Sequence, residues 1–323
     1  MKKDFNLIKR FIKDNSLPIP IIGEGNYFDY FINLYEKDYN SLTKYNSLCG
    51  LVDGYFNHST ERFLEKYYEI RDSIIKTVEN SDAYKRFNTM DMNSFTYDID
   101  GISSNNIYCE INNGKTFVSF DLKKANFQAL KYVDEEIVMG ASTYEDFIRN
   151  FTDIDYIINS KHIRQIVFGK MNPKRHIMIE KYITANIYKE LVDKYGMENC
   201  VSMMNDELIF RVDNLDEKGK YDIIGEQIKN NMGFDINVEL FSLNKIQLLC
   251  NNVLKGTYYY KEYMPRYENN TIRKIMCVPV NYFAIVYKLL NNLELKEEDL
   301  HFGYEGIDCR YCERFRLIKD IIN

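Results

Sequence analysis

The sequence predicts an α+β protein in which helices pack an antiparallel sheet, and three stretches carry that expectation. Residues 200–212 place two β-rich runs around Asp206 and Glu207, with Val201 and Met203 before the pair and Leu208, Phe210 and Val212 after it at alternate positions. Such alternation buries one face of each arm and leaves two carboxylates at the tip of a hairpin. Residues 115–121 read as a second strand, in which Phe117 and Ser119 alternate with Val118 and Phe120 before the run ends on Asp121. Upstream, residues 1–93 carry apolar and aromatic residues at helical spacing instead.

In chain order, residues 5–12 read as a short basic amphipathic helix, followed by Pro18, Pro20 and the Gly23-Glu-Gly25 turn. Residues 28–35 and 61–78 repeat the helical spacing, with a break near Gly50 and Gly54. Lys66, Arg71, Lys76, Lys85 and Arg86 form a basic set suited to solvent or to phosphates. Residues 94–120 are β-rich, and Asn112-Asn-Gly114 is a hairpin signal because Asn and Gly tolerate positive φ. Residues 123–139 read as a helix interrupted by Asp134-Glu-Glu136, and 144–150 as another. Within 160–170, Ile163, Ile166 and Val167 share one helical face while Lys161, Arg164 and Lys170 stand outside it. Arg164 and Phe168 are four apart and therefore lie on one side of that helix.

Carboxylates on adjacent rigid strands are hard oxygen ligands of the kind that hold Mg²⁺ for phosphoryl transfer. Singly, Asp206 and Glu207 also suit a solvated turn, and Asp121 a helix N-cap. Together the residues resemble a family. Asn205-Asp-Glu-Leu-Ile-Phe-Arg-Val212 resembles motif C of the family A DNA polymerases, the bacterial polymerase I type. Val118-Ser-Phe-Asp-Leu-Lys-Lys-Ala-Asn-Phe-Gln-Ala-Leu130 is similar to motif A, and Lys161-His-Ile-Arg-Gln-Ile-Val-Phe-Gly169 to motif B. The three stand in the family's order, and residues 223–232 and 238–240 are similar to the helix and strand that follow motif C. The resemblance covers about residues 115–245.

It implies a polymerase-like palm with an antiparallel sheet and short helical fingers, preceded by a helical thumb-like region and followed by a C-terminal extension. The expected boundaries are 1–93, 94–245 with a fingers insertion at about 140–195, and 246–323. By the same resemblance Asp121 and Asp206 bind two Mg²⁺ ions, or Mn²⁺, and Glu207 is an accessory acid near the primer end. Lys161, Arg164 and Lys170 neutralise a triphosphate, Phe168 stacks on the incoming base, and Asn126 and Asn172 border the sugar. The departures are specific. Asn126 and Asn172 stand where the family has a Glu and a Tyr that exclude ribonucleotides, which implies weak sugar discrimination. Asn205 replaces the motif C His, and Ser160 stands where the first motif B Arg is expected, with Lys161 beside it. Only about forty residues separate Phe168 from Asp206, too few for the family's further fingers helices that contact the template.

The formal net charge of −6 gives no global attraction to nucleic acid, so polyanion binding rests on local basic clusters. The 27 Tyr and 20 Phe beside no Trp reflect coding bias before function. Seven cysteines, an odd number without a secretory segment, fit a reducing cytoplasm, and no run approaches the roughly 20 apolar residues of a membrane span. Past residue 245, Tyr258-Tyr-Tyr-Lys-Glu-Tyr263 with Arg266, Tyr267, Arg273 and Lys274 suits either strand packing or stacking on single-stranded bases. Cys309-Arg-Tyr-Cys312 is half of a zinc pattern, with Cys277 and His301 the candidates for the rest. The leading expectation is a nucleotidyltransferase acting on nucleoside triphosphates and a DNA or RNA primer or template, with a replication or transcription partner protein. The alternatives are a template-independent tailing or priming enzyme, and a non-catalytic palm derivative that binds nucleic acid or a replication partner.

Overall fold

The alternating Phe, Val and Leu of β1 (Thr116–Leu122) suit a strand buried on both faces, and both of its edges are paired. A computed structural model of the chain describes residues 4–22, 25–97, 99, 107–213, 218–263 and 272–319. On one edge β1 meets β3 (Glu207–Val212) and on the other β4 (Ile236–Cys250), both antiparallel. Outside β3 lies β2 (Cys200–Met203), and beyond β4 lie β5 (Val253–Tyr263) and β6 (Ile272–Met276), giving the order β2-β3-β1-β4-β5-β6. The far half of β4 also pairs with β9 (Phe315–Lys319), while β7 (His301–Tyr304) and β8 (Ile307–Arg310) form a separate hairpin. An α+β architecture with an antiparallel sheet is thus what the chain adopts.

The two-residue strand period divides the sheet into two faces. Val118, Phe120 and Leu122 join Leu208, Phe210 and Leu240 in the main core, whereas Phe117 joins Ile209, Phe241, Leu243 and Tyr259 in a smaller cluster. Ser119 and Asp121 share the parity of Phe117. Each fully buried Phe or Leu contributes roughly 1.5–3 kcal/mol, so a register slip that turned these residues outward is strongly disfavoured.

Helices cover the first face. The N-terminal part is helical as its spacing predicts: α1 (Phe5–Asp14), α2 (Phe28–Leu34), α3 (Glu36–Tyr39), α4 (Ser41–Tyr55), α5 (Thr60–Asn80) and α6 (Asp82–Thr89). After β1 come α7 (Ala125–Val133), α8 (Tyr144–Arg149), α9 (Asp155–Ile158), α10 (Lys161–Lys170) and α11 (Pro173–Tyr195), then α12 (Lys218–Met232) after β3 and α13 (Val280–Leu290) after β6. Pro173 opens α11, where its missing N–H costs nothing. Ile179, Ile183, Ile187 and Leu191 recur every four residues along α11 and are buried, seating that helix beside α7, β2 and β3.

Two expectations change. In 94–113, the described residues form short 3-10 turns at Met92–Phe95 and Glu110–Asn112 rather than a strand paired with β1, because β3 and β4 already occupy both edges. Gly114, at φ 70°, turns the chain into β1 instead of closing a hairpin. The boundary expected at 245 falls inside β4, a single 15-residue strand, so the C-terminal strands extend the same sheet. Among the described residues no helix is long and apolar enough to cross a membrane.

Candidate active site

The β1–β3 register places Asp121 opposite Glu207. Asp206 immediately precedes Glu207 in the turn, and its carbonyl accepts from the Leu122 amide at 2.8 Å. The aspartates predicted to converge therefore stand at one end of two paired strands. Burial and the charges of Asp206, Glu207 and Glu239 push the Asp121 carboxyl up to about 7, against the smaller opposing effect of Lys261. Asp206 is likewise raised, by burial and by Glu207. Glu207 is anchored sideways, with Oε1 accepting from the buried Ser119 hydroxyl at 2.5 Å.

Glu239 faces Ser119 from β4. Burial acts to raise its carboxyl, but Lys261 and Lys274 outweigh that and, with donors from Lys261 at 3.1 Å and Tyr263 at 2.9 Å, hold it below the usual range. One acid of the row is thus neutralised in place, while Asp121 and Asp206 keep excess negative character.

A further acid, Glu180, was not among the expected residues. It lies on α11, is only 4% exposed, and its Oε1 accepts from Asn126 Nδ2 at 2.9 Å. Burial and the charge of Asp206 push its carboxyl up to about 7. One turn later Thr184 Oγ1 donates to the Asn205 carbonyl at 2.9 Å, tying the same helix to the acidic turn. His176, Glu180 and Thr184 recur every four residues and are all buried beside the Ile stripe. A polar stripe on a buried helical face is a legible signal in the sequence, because isolated charges there are rare.

The helix tied to the acidic turn is therefore α11, whereas the predicted motif B residues lie on α10. Among the described residues no hydrogen bond or ion pair joins Lys161, Arg164 or Lys170 to Asp121, Asp206 or Glu207. Arg164 lies over the Tyr144 ring at 5.8 Å, and Lys124 approaches that ring from the β1 side at 5.6 Å while pairing with Glu145. Lys161 and Lys170 are exposed. Phe168 requires correction: it is 1% exposed, stacks on Phe147 at 6.3 Å, and has no face free for a base. Its position four residues after Arg164 left open whether the ring turned outward, and packing against α8 turned it inward. Asn172 adopts φ 53° before α11 and donates to Asn88 Oδ1 at 3.0 Å, while Asn126 lies with Glu180.

Most of the N-terminal basic set is paired within the chain: Lys66 with Glu69, Arg71 with Asp72, Lys85 with Asp82, and Arg86 with Asp134 and Glu136. Tyr258, Tyr259 and Tyr260 are buried in β5, so strand packing accounts for that run; Arg266 and Tyr267 lie outside the described residues. None of Cys309, Cys312 and Cys277 is in a disulfide, and His301 Nδ1 contacts Asp308 at 2.8 Å.

Asp121, Asp206 and Glu207 offer hard carboxylate oxygens, and Asp121 and Asp206 are raised first by burial and then by neighbouring carboxylates. Among the described residues no three His, Cys, Asp or Glu side chains make a ready-made metal cage. Asp121 and Asp206 as a pair match the one or two carboxylates by which Mg²⁺ is commonly held together with substrate phosphates. Comparison with protein-family models, with curated proteins and with solved structures returns no match to this chain.

Proposed function

We propose that the chain is a nucleotidyltransferase that adds nucleotides to a 3′-hydroxyl, with a palm like that of the family A polymerases. The observation that carries this reading is the register that sets Asp121 against Glu207 with Asp206 beside them. Asp121 and Asp206 would hold Mg²⁺ or Mn²⁺. When bound, such ions polarise phosphoryl oxygens, favour the deprotonated attacking hydroxyl and offset charge on the departing pyrophosphate.

The chain's own residues supply position. Ser119 fixes the Glu207 carboxylate near the primer end, and Glu180 fixes Asn126 beside the sugar. Arg164, with exposed Lys161 and Lys170, brings positive charge toward the triphosphate. Asn126 is shorter than a Glu and is held back by Glu180, which favours use of ribonucleotides as well as deoxynucleotides. The short link from α10 to α11, Met171 and Asn172, leaves no further fingers helix between them. That economy favours a second reading within the same chemistry, tailing or priming without a template.

The test is extension of a labelled primer, alone and annealed to template, with Mg²⁺ or Mn²⁺ and each ribo- and deoxynucleotide, beside Asp121→Ala and Asp206→Ala. Template-directed product lost in both variants supports the polymerase reading, and product made without template selects tailing or priming. Absence of product from folded protein under every condition overturns both in favour of a binding role. Strong preference for deoxynucleotides would refute the sugar assignment alone.

A further inference from the structure

Beside the acidic strand end, but lined by other residues, is an open cavity of about 250 Å³. α7, the segment opening α8 and the loop before β4 form its walls, and Lys123, Lys131, Tyr132 and Phe234 carry its chemistry. Its base is rigid: Gln128 donates to the Asp235 carbonyl and accepts from the Asp235 amide, each at 2.9 Å.

The cavity combines aromatic surface with uncompensated positive charge. Tyr132 is 46% exposed, and it rests against Phe234 at 5.5 Å. Of the charged groups lining the space, Lys124 is paired with Glu145, and Asp235 is paired with Lys229 from outside at 2.7 Å. Lys123 is exposed and has no ion-pair partner among the described residues. Lys131 donates to the Ser142 carbonyl at 3.0 Å, which orients its ammonium without cancelling its charge.

We infer that this cavity binds a nucleotide, its base against Tyr132 and its phosphate between Lys123 and Lys131, at a site separate from the Asp121–Asp206 centre. The inference goes beyond the proposed reaction and does not need it. The volume lies below the roughly 300–1,000 Å³ of ordinary small-ligand clefts, so it admits a base and leaves the phosphate at the rim. The same chemistry is offered by a free mononucleotide and by one nucleotide of a single strand.

The experiment is saturation-transfer NMR on the full chain in chelator-containing, metal-free buffer, with 5′-AMP, adenosine, inorganic phosphate and a short oligodeoxyadenylate as probes. AMP is expected to bind saturably, with adenosine and phosphate each at least about fivefold weaker; stacking one base on an aromatic ring is worth about that factor or more. An oligonucleotide bound more tightly than AMP identifies the strand as the source, and the reverse identifies the free nucleotide. Tyr132→Ala and Lys131→Ala should weaken AMP at least about fivefold, Tyr132→Phe should retain binding, and Asp121→Ala should leave it unchanged. Because Tyr132 is exposed, its replacement leaves the core intact, as circular dichroism will show. No saturable AMP signal, or AMP binding untouched by both substitutions, overturns the site. Loss of AMP binding in Asp121→Ala also overturns it, by moving the nucleotide to the acidic centre.

Discussion

Asp121 stands directly across the antiparallel ladder from Glu207, and the next amide along, that of Leu122, is bonded to the Asp206 carbonyl at 2.8 Å. Two segments separated by more than eighty residues of chain are thereby locked into one acidic corner by backbone geometry. Under the proposed function the two aspartates act as one unit, and losses from residues that act together are not additive. Asp121→Ala and Asp206→Ala should each reduce nucleotide incorporation about a thousandfold or more, and the double variant should be no worse than about tenfold below either. Single-turnover primer extension checks this, and fully additive losses would argue against a shared centre.

Glu180→Gln isolates the buried acid. The amide keeps the size and still offers Asn126 an oxygen, but it removes a carboxyl raised by burial and by Asp206. Incorporation should fall about tenfold, the equivalent of about one pKa unit, because the charge that Glu180 shares with Asp206 is lost. The thermal midpoint should hold or rise, since a neutral amide costs less to bury than a charge. A fall in midpoint together with unchanged incorporation would assign Glu180 a purely structural role.

Phe168 should behave as a core residue. Phe168→Ala leaves a cavity beside Phe147 and His176 and should cost about 3–5 kcal/mol in urea unfolding. In protein that remains folded, the nucleotide KM should change less than threefold. A large KM increase with unchanged stability would restore the base-stacking role that burial denies it.

His176 sets an acid limit on stability. It is 1% exposed between the Phe87 and Phe168 rings, and burial pushes its imidazole down to about 4 from 6.5. The unfolded chain therefore binds more protons than the folded one between these values. Its contribution to stability is present above about 6.5 and lost as pH falls toward 4. Urea midpoints between pH 4 and 7 should fall toward acid less steeply in His176→Phe than in the parent chain. Parallel slopes would place the acid sensitivity elsewhere.

Much of the local structure was legible. Val118, Phe120, Leu208 and Phe210 alternate with residues of the other face, and the strand period alone makes Asp121 and Asp206 strand-end acids. Helical spacing likewise identifies α1, α5 and α10 within a few residues. The upstream hairpin was misjudged because turn chemistry at Asn113 and Gly114 is local, whereas the availability of an edge on β1 depends on β3 and β4. Phe168 was misjudged for a related reason: four-residue spacing puts Arg164 and Phe168 on one side of a helix but does not say which neighbour that side meets.

The sequence by itself determined that α1, α5 and α10 are helices and that two strands end in carboxylates, since each property follows from a period of a few residues. Tertiary structure alone decided that β1 lies between β3 and β4, that β4 continues through residue 245, and that α11 rather than α10 brings an acid to the corner. These outcomes rest on contacts between residues far apart in the chain. Burial of Leu, Phe and Ile side chains selects the register and docking, and only then do Asp121, Asp206 and Glu180 share one low-dielectric site whose carboxyls shift together.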